Sequence, residues 1–392
     1  MSSAVDTLIA REPSALKPIV RLIFVRLLWS VPTLVFITFL TFLIGELAPG
    51  DAATALAGEK ASPEAVARLR HSLGLDQPLL VRYGRFVVNA CHLDFGQSWF
   101  PPYRPVGEIV SEGMGFSQMG LLALAAVFCC AAVWVFVRFL NALKDFRAVF
   151  WFGALAVVVV FAWQIAQIAI SMPQGRTGPL AIYAILLASA MGVFFGFIAG
   201  IWHGKWPDRF ATTFSTLGVC IPTFVLAPVL VLIFALKLQV LPDTWVENPK
   251  EGVFWYLVLP VLILAMRPAA VITRLTRASM MDVLSQDFIR TASAKGVPFW
   301  KVMTKHAFRN SLVTVVTAIG TSFGFLLTGS FILETFFRIP GLGLKSIDAI
   351  YQGDFPVIQA TVLLFAVLFI LVNLLVDLIL PLLDPRIRGS AA

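Results

Sequence analysis

The 392-residue chain is 59% apolar or aromatic and 13% charged, with 34 Phe and 10 Trp, against roughly 45–50% and about 25% in an ordinary soluble domain. Too little polar surface is left to coat a water-soluble globule, so that class is excluded and lipid becomes the expected solvent. The formal charge of +8, from 30 Lys and Arg against 22 Asp and Glu, is read first as membrane orientation rather than as nucleic-acid binding.

Eight apolar stretches reach the roughly 20 residues that cross about 30 Å of hydrocarbon. In chain order they run Phe24 to Ala48, Met119 to Leu140, Ala148 to Ile170, Leu180 to Trp202, Ala211 to Lys237, Val253 to Ile272, Leu312 to Leu333 and Val357 to Leu383. The first follows a 23-residue polar lead and is too long for a signal-peptide core, so it reads as a retained span, with cleavage near Ala52 or Ala53 as the alternative. The sixth is the weakest, because Pro260 and Pro268 fall inside it. Basic residues gather on alternate connections: Arg11, Lys17 and Arg21, then Lys144 and Arg147, then Lys205 and Arg209, then Arg386 and Arg388. That bias places both termini inside.

Two connections are longer than turns. Residues 49–118, outside, hold a helical pattern that starts at the N-cap Ser62, has Pro63 in its first turn and stops at Gly74. They read as a small extracytoplasmic subdomain. Residues 273–311, inside, carry Arg274, Arg277, Arg290, Lys295, Lys301, Lys305 and Arg309 against Asp282 and Asp287. Within this loop, Ser285 to Pro298 spells a capped start, two turns of helix, a glycine stop and a proline opening the next helix. Residues 291–294 are all small and would let a partner approach closely, while Phe288 and Ile289 offer an apolar grip. The same pattern also fits a loop folded back on its own bundle.

The run Asp287-Phe288-Ile289-Arg290-Thr291-Ala292-Ser293-Ala294-Lys295-Gly296, followed by His306-Ala307-Phe308-Arg309-Asn310-Ser311-Leu312, resembles the EAA coupling loop of ABC importer permeases of the dipeptide/oligopeptide branch. Ala48-Pro49-Gly50-Asp51, Leu73-Gly74-Leu75-Asp76-Gln77-Pro78-Leu79, Asp94-Phe95-Gly96-Gln97-Ser98, Pro340-Gly341-Leu342-Gly343 and Leu383-Asp384-Pro385-Arg386-Ile387-Arg388 are similar to that branch in the same order. The resemblance implies an all-α polytopic protein of the bacterial inner membrane. It would consist of a six-helix permease core plus a two-helix insertion, from about Cys129 to Ala181, beside the small extracytoplasmic subdomain. Implied organisation is 1–48 as cytoplasmic N-terminus and first span, 49–118 as subdomain, 119–180 as second span and inserted helices, and 181–392 as core. Implied partners are a second homologous permease, two cytoplasmic ABC ATPases and an extracytoplasmic solute-binding protein. Asp287, Arg290, Thr291, Ala292, Ala294, Lys295 and Gly296 would couple to the ATPases, and peptides or similar solutes would be carried. No cofactor, metal or catalytic residue is expected, since ATP would be hydrolysed on other subunits.

The remaining features have plainer readings. Gly192, Gly196 and Gly200 line one helical face, as do Gly320 and Gly324, giving close-packing faces or hinge points. Gly320-Thr321-Ser322-Phe323-Gly324 matches a hydrolase nucleophile pattern, but it lies within an apolar helix and none of the four His falls within a span to serve as its base. Asp377 in the last span calls for a basic partner at the inner face. Glu46 and Glu334 mark outer span ends, and Pro222 marks either a kink or a broken helix. The four Cys show no metal-ligand spacing. A secondary transporter or channel is the alternative function, and it would need more deep charges than Asp377 supplies.

Overall fold

The structure is a computed structural model, and it describes residues 16–47, 52–57, 61–72, 74–92, 94–114, 176–246 and 252–383. Among these residues everything regular is helical, apart from one isolated bridge between Gln97 and Pro105. Five helices are long and apolar enough to cross a membrane, or six if one sharply bent pair counts as a span. The expected spans Met119 to Leu140 and Ala148 to Ile170, and most of the expected insertion, lie outside the described residues.

The first span is α1 (Leu16–Leu47), followed by α2 (Ala52–Ala57), α3 (Pro63–Ser72), α4 (Leu79–Cys91) and α5 (Val106–Met114). As its sequence predicts, α3 is capped by the Ser62 hydroxyl, which accepts from the Ala65 amide at 3.3 Å, and it closes at Gly74 with φ +66°. The Tyr83 ring of α4 packs edge-on against Phe39 of α1, and Tyr83 Oη lies 2.9 Å from the Thr38 hydroxyl. Arg82 and Glu46 pair beside them.

The core is built on α6 (Thr177–Ile201) and α9 (Val253–Leu284), which pack along their whole length. The contact runs on glycine: a Cβ added at Gly192, Gly196 or Gly200 would lie 2.6, 2.5 or 2.5 Å from the Cβ of Ile272, Thr276 or Met280. Only hydrogen fits at such an approach, which is how helices associate in a solvent that supplies no hydrophobic drive. Pro260 and Pro268 do not end α9, which runs unbroken some twelve residues beyond the expected limit at Ile272. The bundle takes up the strain, as both prolines are buried in it.

Between α6 and α9 lie α7 (Trp206–Cys220) and α8 (Thr223–Val231), the latter continuing as a wider π-helical segment, Leu232–Lys237. The single span expected over Ala211 to Lys237 is instead an elbow of 105°. Pro222 explains it, because a residue preceding proline is driven out of the α region, and Ile221 sits at ψ 116°.

After α9 come α10 (Asp287–Ala294), α11 (Phe299–Lys301) with a π-helical continuation Val302–Phe308, α12 (Arg309–Phe337), α13 (Leu342–Gln352) and α14 (Phe355–Leu383). α14 runs antiparallel to α1, with Arg26 and Asp377 paired at 3.0 Å near one end and Gly45 against Gln359 near the other. It also packs on α12, where Cβ atoms at Gly320 and Gly324 would run into Val376 and Phe369.

Candidate coupling site

One end of the bundle carries the short helix α10 on an apolar root. Met280 and Val283 of α9, Ile289 of α10, and Val302, Met303 and Ala307 of the π-helical segment are buried together. Phe197, Ile201, Leu284, Ala292, Val297 and Phe308 pack around them. Ile289 and Ala292 are three positions apart and so share one face of α10. That face binds the helix to α9 and to the segment leading into α12.

The opposite face points away from the protein. Asp287, Phe288, Arg290, Thr291, Ser293, Ala294, Lys295 and Gly296 are exposed, with the Asp287 and Arg290 side chains 97% and 77% open. Their mutual contact at 3.7 Å is a weak surface pair worth under about 1 kcal/mol. The expected apolar grip of Phe288 and Ile289 is therefore divided: Ile289 is turned into the root and only Phe288 faces out, because neighbours in a helix point about 100° apart. Ala292 likewise lies half-buried, whereas the other six residues assigned to coupling are open to a partner. Phe299 and Trp300 add exposed rings beside them.

The ends of α10 are fixed by backbone geometry. Gly296 takes φ +74°, and the Val297 amide returns to the Ala292 carbonyl at 3.2 Å, closing the C-terminus. A left-handed residue there favours glycine because it has no Cβ. The expected cap at Ser285 is not used: its hydroxyl donates to the Asp282 carbonyl at 2.8 Å and finishes α9, while Gln286 occupies the N-cap position of α10 without a side-chain bond.

Behind this end lies a group that the sequence reading did not assemble. Asp208, buried at the start of α7, accepts from Arg277 of α9, from the Gly204 amide at 2.8 Å and from Thr212 at 3.4 Å, with His203 Nδ1 at 3.1 Å. The cluster ties the connection after α6 to α7 and α9, one helical turn along α9 from Met280 of the apolar root. Arg277 was read only as one of seven loop charges, since its partner is 69 residues away. Arg267 belongs to none of the motifs in the sequence. It lies in α9 about 21 Å from Val253 and about 26 Å from Leu284, and its exposed guanidinium rests 5.2 Å from the centre of the Phe325 ring. A cation at mid-span costs about 2.5–3.5 kcal/mol on insertion scales, the signal that would have found it.

At the other end of the bundle the polar groups meet each other. Glu334 of α12 is fully buried and accepts from the Gly343 and Leu344 amides at 2.7 and 3.2 Å. The Thr177 hydroxyl accepts from the Leu342 amide at 2.7 Å, and the Pro340 carbonyl accepts from the Arg176 amide at 3.0 Å. Pro340-Gly341-Leu342-Gly343 is thus clamped between α6 and α12. A side chain at Gly343 would meet the Phe331 backbone at 2.8 Å. On the side of α5, Glu112 pairs with Arg104 and, at 3.1 Å, with Lys345 of α13. The hydrogen bond from Arg104, followed by that from Lys345, pushes the Glu112 carboxyl down to about 2.

Comparison with known proteins agrees with this architecture. Residues 192–389 match the family described as "Binding-protein-dependent transport system inner membrane component", and residues 19–97 match "Binding-prot-dependent transport system membrane comp, N-term". Over 363 residues, 93% of this chain and 97% of the relative, the sequence is 35% identical to the glutathione transport system permease protein GsiC of Salmonella paratyphi A. Identity is 34% over the same shares to GsiC of Escherichia coli K12 and of Salmonella typhimurium. The chain belongs to the binding-protein-dependent transport system inner membrane component family: it is a multi-pass inner-membrane permease subunit of an ATP-driven importer.

Proposed function

We propose that this subunit receives the work of ATP hydrolysis through α10 and passes it to α9 and α12, opening a path for peptides or glutathione-like solutes. The observation that carries the reading is the two-faced character of α10. One face is rooted in the cluster around Met280, Ile289 and Val302, and the other presents Asp287, Arg290, Thr291, Ala294, Lys295 and Gly296 to a partner. Ala292 belongs to the root and keeps the peg attached. A short helix pinned between two spans transmits rigid-body motion, the basis of hinge-like switching.

In this reading the α10 end faces the cytoplasm and both termini lie there. Residues 49–118 form the extracytoplasmic subdomain, and α5 and α13 face the solute-binding protein. The assembly contains a second, homologous permease and two ATPase subunits, and the permease itself carries out no chemical reaction. Gly192, Gly196 and Gly200 let α6 move with α9 as one body, and Gly320 and Gly324 do the same for α12 and α14. Peptides are the favoured solute class because the relatives are named for a tripeptide.

Purification of the tagged chain from its own membrane in mild detergent tests the assembly. Two ATPase chains and a second permease are expected with it, and uptake into vesicles should require ATP and the binding protein. A chain that purifies alone and moves solute down an ion gradient without ATP would contradict the reading.

A further inference from the structure

Three observations meet at one depth of the bundle. First, Arg267 projects from the outer face of α9 midway along its length, and no ion pair to it forms among the described residues. Helical side chains lean toward the N-terminus, so Arg267 leans away from the α10 end. Its contact, Phe325, accordingly lies about 24 Å from the start of α12. Arg267 leans toward Val253, the nearer end of α9, but at about 21 Å that end is beyond the reach of an arginine side chain.

Second, Phe325 continues an exposed row on α12 formed by Thr314, Thr317 and Thr321, spaced by three and four residues. The row is polar over the half of the span nearer α10. Third, the α7–α8 elbow falls at the same level: Gly218, two residues before its end, packs against Met266 and Ala270, which flank Arg267 in sequence. Pro222 has no amide to offer the Gly218 carbonyl. Irregular backbone at membrane depth is tolerated only where protein buries it or water reaches it, and Cys220 and Ile221 are exposed. The Thr317 and Thr321 hydroxyls bond back to carbonyls of their own helix, but a cation and an opened helix at one depth would be poorly matched to lipid.

We propose that this face lines the solute path, with Arg267 as a specificity-determining residue that holds a carboxylate of the passing solute. The proposal deepens the transport reading above and rests on it. The counter-charge is sought in the solute because Glu46 is engaged by Arg82, Asp208 by Arg277, Glu334 by the Gly343 and Leu344 amides, and Asp377 by Arg26, while Asp282 lies about 22 Å along α9 from Arg267. The Phe325 ring lies 5.2 Å from the guanidinium carbon, and a guanidinium stacked on a ring can still offer its edge to a carboxylate in a bidentate contact.

Two measurements on the complete importer in proteoliposomes test it. In a background with Cys91, Cys129, Cys130 and Cys220 replaced by Ala, Arg267→Cys should react with a water-soluble anionic thiol reagent at least tenfold faster than Ala265→Cys, which is buried. Equal rates would overturn the path assignment, whether lipid or a second permease covers the position. ATP-driven uptake of Ala-Glu-Ala and Ala-Lys-Ala is then compared. In Arg267→Glu the ratio of acidic to basic peptide should fall at least tenfold, and in Arg267→Lys it should stay within about twofold of wild type. Loss of both peptides in equal proportion would make Arg267 structural and overturn its role in selection. If the wild-type importer moves neither peptide, the peptide assignment made above fails, and the labelling measurement still decides whether this face is wet.

Discussion

The two ends of the bundle treat their polar groups in opposite ways. At the α13 end, Glu334, Thr177, Glu112 and Asp354 all find partners within the chain, the last through Ser98 and the Trp99 amide. At the α10 end, Asp287, Arg290 and Lys295 extend into open space beside Phe288, Phe299 and Trp300. The first end spends most of its polar groups on its own chain, although Glu334 Oε1 and Tyr183 Oη are buried there without a hydrogen bond among the described residues. An end that leaves charges and rings uncovered is shaped for something else, and mutations at the two ends should fail differently: through stability at the first, through transmission at the second.

The largest effect is expected where α10 meets its root. Gly296→Pro cannot take the observed positive φ, and Ala292→Glu puts a charge into the apolar cluster. Either change should abolish ATP-driven uptake while the chain still inserts, as measured by vesicle uptake alongside membrane content. Normal uptake by both would erase the contrast between the ends.

Next comes the brace behind α10. Arg277→Met leaves Asp208 buried without its main counter-charge, a loss of about 3 kcal/mol. Thermal unfolding of the detergent-solubilised chain should show it, and Arg277→Lys should recover part of it. The glycine face ranks third: Gly196→Ala brings a methyl group to 2.5 Å from Thr276 and 2.6 Å from the Thr273 carbonyl, so α6 and α9 must separate. Overpacking of this kind costs about 1–3 kcal/mol, again read by thermal unfolding.

The glycine faces also show what the residue order made legible. Spacing by four is enough to place Gly192, Gly196 and Gly200 on one stripe, and the length of apolar runs is enough to locate the five span-length helices among the described residues. The partner of a stripe is not written locally. That Ile272, Thr276 and Met280 fill it depends on α9 continuing past Ile272, and two internal prolines argue against that at the level of a single helix. The α7–α8 elbow is the converse case, since Pro222 was visible but only packing distinguishes a kink from a 105° turn. For α10, its limits were readable from Gly296 and Pro298. Which of Phe288 and Ile289 turns inward was not, because it depends on where Met280 and Val302 lie.

The smallest effect concerns the α13 end. The depressed Glu112 carboxyl stabilises the docking of α5 on α13 fully above its unfolded value of about 4.5. That contribution fades as pH falls toward about 2. Protection of α5 amides in hydrogen exchange should therefore hold at pH 5 and weaken only in stronger acid. Glu112→Gln should lower protection at pH 5 and remove this part of the acid dependence.

Cross-linking from Ser293→Cys, on the open face of α10, tests the central claim most directly. In the assembled importer it should capture an ATPase chain, with a yield that changes between nucleotide-free and ATP-bound states. Absence of that product in every nucleotide state, with the same cysteine freely labelled in the active importer, would contradict the assignment of α10 as the point where work enters.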